Sequence, residues 1–264
     1  MQDRHQDRES YFREQTTTCR NYYIPYIQNH KFIREGMRVL EIGCGEGGNL
    51  LPFSQMGCRT LGVDISQIRI KEAIRFFADN DAEGQFIATD IFCLNDMPYS
   101  FDIIICHDVI EHIDDKQELL SLIARFLAPD GLAFISFPAW QMPFGGHQQI
   151  CSGNIVSHLP FIHLLPLFLY KQVLSNESDG CIKELLSIRK TRTTIEMFEK
   201  TVRSSSLLNI VDQTFYLVNP HYEVKFGMKP RRLHPAIGSI PRLRNFLTSS
   251  CFYLCSSQEQ NAMH

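Results

Sequence analysis

The residues best suited to chemistry in this 264-residue chain stand where an apolar run, Val39-Leu40-Glu41-Ile42, meets the glycine-rich stretch Gly43-Cys44-Gly45-Glu46-Gly47-Gly48. Glycines have no Cβ, so they accept positive φ in a sharp strand-to-helix turn and let the backbone approach a ligand closely. The chemistry this suits is the binding of a nucleoside cofactor. Gly43, Gly45 and Gly48 also satisfy the dinucleotide pattern G-x-G-x-x-G, so the glycines alone do not choose the nucleoside. Glu41 adds information: a carboxylate two positions before the first glycine needs a partner when buried, and the ammonium of an amino-acid moiety, direct or through water, would be one. Asp64 ends a second short strand, Leu61-Gly62-Val63, about twenty residues beyond the loop, where a carboxylate accepts from ribose hydroxyls. A third run, Phe86-Ile87-Ala88-Thr89, ends at Asp90, placed to receive the exocyclic amine of an adenine.

Histidines supply the candidates for proton transfer, since a base with a pKa near 7 suits an oxygen or nitrogen nucleophile. His107 follows the fourth strand, Phe101–Cys106, and is expected to face the cofactor. His112 is expected at the start of the next helix as a structural residue beside Glu111. No metal triad assembles from His107, Asp108, Glu111, His112, Asp114 and Asp115 by sequence alone, and no metal is expected. His147 is the third candidate base. It lies in a stretch, Pro138 to Gln149, that holds the only tryptophan, two prolines and a glycine pair, a composition suited to a pocket wall with Trp140 and Phe144 against an apolar part of the substrate.

The elements that must position these groups alternate strand and helix, as an α/β sheet demands. Apolar residues near a 3.6-residue period predict helices over 64–80 and 118–127, and a further helix is expected over 196–208. A fifth strand covers Leu132–Phe137, a sixth 210–218 and a seventh 246–254. A helical cap, with Pro25 near its start, precedes the first strand. Cys251 and Cys255 read as core residues of the last strand.

Five motifs in order, VLEIGCGEG at 39–47, LGVDIS at 61–66, ATDI at 88–91, FDIIICHDVIEHI at 101–113 and LAPDGLAFIS at 127–136, carry a resemblance. Residues 37–137 resemble a class I S-adenosylmethionine-dependent methyltransferase, in the style of the small-molecule ubiquinone and menaquinone biosynthesis group (type 11 methyltransferase-like). The resemblance implies a Rossmann-like, doubly wound, seven-stranded sheet, mostly parallel with strand seven antiparallel. It implies that Glu41, Gly43 and Gly45 contact the amino-acid end, Asp64 the ribose, Asp90 and Ile91 the adenine, and His107 the approach to the methyl group, with Cys44 and Ile65 completing the cofactor contacts. Two rival functions share these features: a nicotinamide-dependent oxidoreductase, and a non-catalytic protein that binds S-adenosylmethionine.

A single domain over 1–264 is expected, with a helical cap at 1–36, a cofactor-binding core at 37–137, a substrate-lid insertion at 138–192 between strands five and six, and a C-terminal segment at 193–264 that completes the sheet. The lid is where acceptor specificity is expected, for a small-molecule, glycan-linked or lipid-linked substrate. Its run 155–170 is almost long enough to span a bilayer, but Pro160 and Pro166 break helical bonding and His158 and His163 are costly in hydrocarbon. Broken helices that form a lid, a homodimer contact or a peripheral membrane contact fit better. From Val224 to Gln258 there is no Asp or Glu, while six Lys and Arg residues supply positive charge. A net charge of −3 argues against a nucleic-acid partner. An odd number of scattered cysteines and a polar stretch from Met1 to Arg20 point to reduced thiols in a cytoplasm.

Overall fold

The computed structural model describes residues 7–94, 97 and 100–258. Residues 1–6 of the expected cap and 259–264 of the expected C-terminal segment lie outside the described residues. Eight strands, β1 (Arg38–Ile42), β2 (Arg59–Asp64), β3 (Gln85–Ala88), β4 (Phe101–His107), β5 (Leu127–Phe137), β6 (Leu208–Val218), β7 (Arg231–Arg232) and β8 (Ser250–Ser257), form one sheet in the order β3-β2-β1-β4-β5-β8-β6-β7. The first five pair in parallel, and β8 enters antiparallel between β5 and β6. Among the described residues the count is eight, not the expected seven. The extra strand is the two-residue β7, antiparallel on the outer edge of β6, too short to carry an alternation that sequence reading could detect.

Alternation within the strands explains why both faces are covered. Val39, Ile103, Ile105 and Phe134 join one apolar cluster, while Leu40, Ile42, Ile104, Cys106 and Ile135 join another. Successive side chains point to opposite faces, so a strand with no polar face must be packed on both sides. On the first face lie α1 (Arg8–Thr18), a π-helical turn Cys19–Tyr23, α2 (Ile24–Gln28), α3 (Leu51–Gln55) and α4 (Gln67–Asp79). On the second lie α5 (Lys116–Phe126) and the helix that precedes β6.

Between β5 and β6 come α6 (Asn154–His158), α7 (Leu167–Val173), α8 (Asp179–Thr191) and α9 (Ile195–Ser205). Cys151, Ile162, Tyr170, Leu174 and Leu185 give this insertion a small apolar core of its own. Ser66, Asp115, Ser178 and Thr194 each cap a helix by accepting from the backbone three residues on. After β6 the chain forms α10 (His221–Phe226), α11 (Pro235–Gly238) and α12 (Leu243–Leu247). The last strand starts at Ser250 rather than Phe246, because Phe246 and Leu247 finish α12. Among the described residues, no helix is long and apolar enough to cross a membrane.

Phe252 of β8 ties the first face together, with ring contacts to Tyr23, Tyr26, Phe134 and Tyr216. Phe252→Ala is expected to destabilise the fold by about 3–5 kcal/mol, against less than about 0.5 kcal/mol for Leu217→Ala on the exposed side of β6. Urea unfolding midpoints for the two variants measure the difference, and equal midpoints would remove Phe252 from this central role.

Candidate functional site

In the order β3-β2-β1-β4-β5, the direction of strand succession reverses between β1 and β4. Ligands of open α/β sheets bind outside the carboxyl ends of the strands at such a point. Glu41 and the glycine turn leave β1 there, and His107 ends β4. The turn is shaped for close approach: Gly43 has φ +69, and a Cβ on it would meet Val109 Cγ2 at 2.3 Å. Gly48 serves a different purpose. A Cβ there would meet the Phe12 carbonyl oxygen at 2.6 Å, because α1 lies directly on the turn. Thr16 Oγ1 donates to the Gly48 carbonyl (3.0 Å) and Cys19 Sγ to the Asn49 carbonyl (3.1 Å), so the cap helix and the glycine turn hold each other.

Glu41 is 1% exposed and on the same face as this cap. Its Oε1 accepts from Asn49 Nδ2 at 2.7 Å, while Oε2 is buried with no hydrogen-bond partner. An orphaned carboxylate oxygen of this kind is costly unless a donor arrives, and a ligand ammonium is the donor that returns most. Asp64, also buried, accepts from the backbone N–H of Gly45 (2.9 Å) and of Ser66 (2.8 Å), which fixes its carboxylate beside the turn with acceptor capacity to spare. Cys44 is buried beneath the turn, and burial raises its thiol pKa far above the ordinary range. Ile65 stands out from the surface at 79% exposure, Asp90 is exposed and caps the short turn 91–93 by accepting from Phe92 N–H (3.1 Å), and Ile91 is buried.

His107 is held from two sides. Its Nε2 is 3.1 Å from the Tyr23 hydroxyl of the cap, and its Nδ1 lies within hydrogen-bond distance of Ser136 Oγ on β5. Sequence reading did not foresee Tyr23, Ser136 or Asn49 as part of this site. A helical cap was expected before β1, but the contact that Tyr23 makes is set by tertiary packing.

His147 is brought to another neighbourhood, beside Glu111 and His112. Its Nε2 is 3.7 Å from Glu111 Oε1, and its ring centroid lies 5.2 Å from that of His112. Burial, with His112 and His163 nearby, lowers the pKa of His147 to about 3, so at pH 7 it is neutral and a weaker base than proton abstraction asks for. Burial likewise lowers His112 and, with Asp108 adding repulsion, raises Glu111 well above the usual carboxylate range. His112 lies in a 3-10 turn, Ile110–His112, and not at the start of a helix. Trp140 is buried edge-on against His163, whose Nε2 donates to the Trp140 carbonyl at 2.8 Å; Phe144 is half-buried beside Met142. Of the six cations between 224 and 258, Arg244 is neutralised by Glu196 and Glu199 at 2.8 Å each, which removes it from the expected positive face.

Residues 14–161, more than half of the chain, match the family model of a methyltransferase domain. Among curated relatives, "Ubiquinone biosynthesis O-methyltransferase" of Rickettsia bellii (strain OSU 85-389) is 30% identical over 117 residues, 44% of this chain and 48% of that protein. The protein of the same name from Bartonella quintana (strain Toulouse) is 30% identical over 121 residues, 44% of this chain and 49% of that protein. The chain thus spans about half the length of the curated relatives it matches. Among solved structures, Haemonchus contortus phosphoethanolamine N-methyltransferase 2 in complex with S-adenosyl-L-methionine aligns with a TM-score of 0.56 at 17% identity, over 90% of this chain and 52% of that one. Magnesium protoporphyrin IX methyltransferase from Synechocystis with bound SAH aligns with a TM-score of 0.53 at 16% identity, over 91% and 81%. At such identities the likeness concerns the fold.

Burial pushes the Glu41 carboxyl from an ordinary 4.5 up to about 8, with the Asn49 hydrogen bond opposing and Asp64 adding repulsion. A carboxyl whose folded pKa is raised contributes stability that is full below about 4.5 and lost as pH rises through about 8, at up to about 1.4 kcal/mol per pH unit. Glu41→Gln is expected to flatten this decline in the ligand-free protein. Urea midpoints followed from about pH 5 to about pH 9 test it, and parallel curves for wild type and variant would show that Glu41 ionises like an exposed carboxylate.

Proposed function

This chain belongs to the family of methyltransferase domains, and on that footing we propose that it is an S-adenosylmethionine-dependent methyltransferase whose acceptor is a small molecule. The observation that carries the reading is the buried, unpartnered Oε2 of Glu41 at the mouth of the glycine turn. It fits the ammonium of the cofactor's amino-acid end, a group that a nicotinamide dinucleotide does not offer in this position.

When bound, S-adenosylmethionine supplies a methyl group on a sulfonium, which leaves by in-line displacement. The chain's part is to hold, orient and keep dry. Glu41 would take the ammonium, with the backbone of Gly43, Cys44 and Gly45 shaping the turn around the amino-acid end. Asp64, already fixed by two backbone donors, would accept from the ribose hydroxyls, with Ile65 alongside. Asp90 and Ile91 would receive the adenine. His107, tied between Tyr23 and Ser136, would join the cap to β5 beside the methyl group, so that closure of the cap and exclusion of water depend on one side chain.

The acceptor side rests on the insertion. The curated relatives carry names of O-methyltransferases, which supports a hydroxyl oxygen as nucleophile. Ile155, Phe161, Leu167 and Phe168 are exposed on the lid, and Phe161 approaches Phe246 of α12 with ring centroids 6.5 Å apart. These exposed apolar residues, with Phe161 against Phe246 of the helix that follows Arg242, support an apolar or lipid-linked acceptor and peripheral contact with an anionic membrane surface. The same reading assigns the protein to the cytoplasm, with a homodimer as the other use of the exposed lid.

Titration with S-adenosylhomocysteine and, separately, with NADH tests the assignment. S-adenosylhomocysteine is expected to bind and NADH not; NADH binding alone would overturn the reading. Gly45→Arg, which crowds the turn and sets a second guanidinium beside Arg69, is expected to weaken S-adenosylhomocysteine by about a hundredfold or more while unfolding stays cooperative. Retained affinity would place the ligand elsewhere.

A further inference from the structure

Two separate parts of the chain bring three ligand-type side chains together. Glu111 and His112 come from the 3-10 turn after β4, and His147 from the loop after β5. One carboxylate oxygen of Glu111 and one ring nitrogen of each histidine all lie within 4.8 Å of one another. Glu111 is 3% exposed, yet neither of its carboxylate oxygens has a hydrogen-bond partner. The nearest charges do not resolve this: Asp108 repels it, and the Lys116 ammonium donates to the Ile113 carbonyl at 2.8 Å. A buried carboxylate with two orphaned oxygens and two imidazoles beside it is a donor set awaiting an acceptor of electron pairs.

The backbone supports the same arrangement. Thr191 Oγ1, at the end of α8, donates to the Glu111 carbonyl, which anchors the turn to the lid. His147 holds a left-handed φ of +58 and Asp108 one of +52, conformations that cost a non-glycine residue about 1 kcal/mol or more and persist only where the surroundings impose them. The other cluster of metal-ligand type, Cys151, Glu177 and Cys181, lacks this signature, since Glu177 already accepts from Ser152 and Gly153.

We propose that Glu111, His112 and His147 bind one divalent first-row transition-metal ion, of the zinc or iron class, and leave coordination positions open to an oxygen of the acceptor. Two imidazoles with one carboxylate suit such ions, whereas magnesium and calcium take oxygen donors. Zinc–nitrogen bonds of about 2.1 Å place tetrahedral ligands about 3.4 Å apart, so binding draws the cluster inward and fastens the lid loop to the end of β4. One carboxylate and two neutral imidazoles leave a net positive site that favours an oxygen able to give up its proton. The role toward the acceptor rests on the methyl-transfer reading; metal binding itself does not.

The test is a titration of the full chain with Co2+, followed by visible absorption and calorimetry, in wild type and in Glu111→Gln, His112→Ala and His147→Ala, with S-adenosylhomocysteine titrated into each. Wild type is expected to take up one Co2+ per chain with d–d absorption. Each substitution is expected to weaken Co2+ by at least about tenfold while S-adenosylhomocysteine affinity stays within about twofold. Should Glu111→Gln fail to fold, His147→Ala in the loop after β5 carries the comparison. Wild type that binds S-adenosylhomocysteine but shows no Co2+ absorption would overturn the site, as would Co2+ binding that all three substitutions leave unchanged. Co2+ uptake that depends on these residues without S-adenosylhomocysteine binding would uphold the site and overturn the cofactor reading instead.

Discussion

A single buried carboxylate sets the terms for the carboxyl end of the parallel strands. Glu41 stands in β1, the strand from which the sheet spreads both ways, on the face that Val39, Ile103, Ile105 and Phe134 share. Asn49 meets one oxygen, and among the described residues the second has no hydrogen-bond partner. Asn49 can do this because the turn at 43–48 folds back, and the turn folds back because its glycines accept the φ values and the contact with α1. The burial that makes Glu41 costly is supplied by the same cap helices that would close over a ligand. Pre-organisation of this kind stores an unmet hydrogen bond in the ligand-free protein and releases it on binding.

Around that point the structure divides into a half that would hold the cofactor and a half that would receive the acceptor. The first is rigid by construction: Asp64 is pinned by two backbone donors, His107 by Tyr23 and Ser136, and the cap by Thr16 and Cys19. The second is built from the insertion, which has its own small core and meets the sheet through His147, Glu111 and Thr191. It also exposes Ile155, Leu167 and Phe168, so one element carries both a buried polar cluster and an apolar surface.

The parallel half of the sheet was legible in the sequence because continuous apolar runs, three of them closed by a glycine or an acid, leave little choice of element. Glu41, Asp64 and Asp90 could be placed because each closes or interrupts such a run. The C-terminal part was less legible: α10, α11, α12 and β7 are one turn or two residues long, below the length at which periodicity speaks, and the last strand was read several residues early for that reason. The partners of His107 and His147 were hidden for another reason. Tyr23 and Ser136, and likewise Glu111 and His112, reach these histidines through tertiary packing between elements far apart in sequence, which no local pattern encodes. His147 was read as a base from its residue type, and only burial reveals why its chemistry differs.

The central claim is that the unpartnered oxygen of Glu41 is reserved for an ammonium. Calorimetric titration of wild type and Glu41→Gln with S-adenosylhomocysteine and with its analogue lacking the α-amino group forms a double-mutant cycle on that one contact. A coupling of about 1.5–3 kcal/mol between the carboxylate and the amine is expected, as for a charge-assisted hydrogen bond. Equal loss of affinity on removing the amine, whether Glu41 is present or replaced, would contradict it.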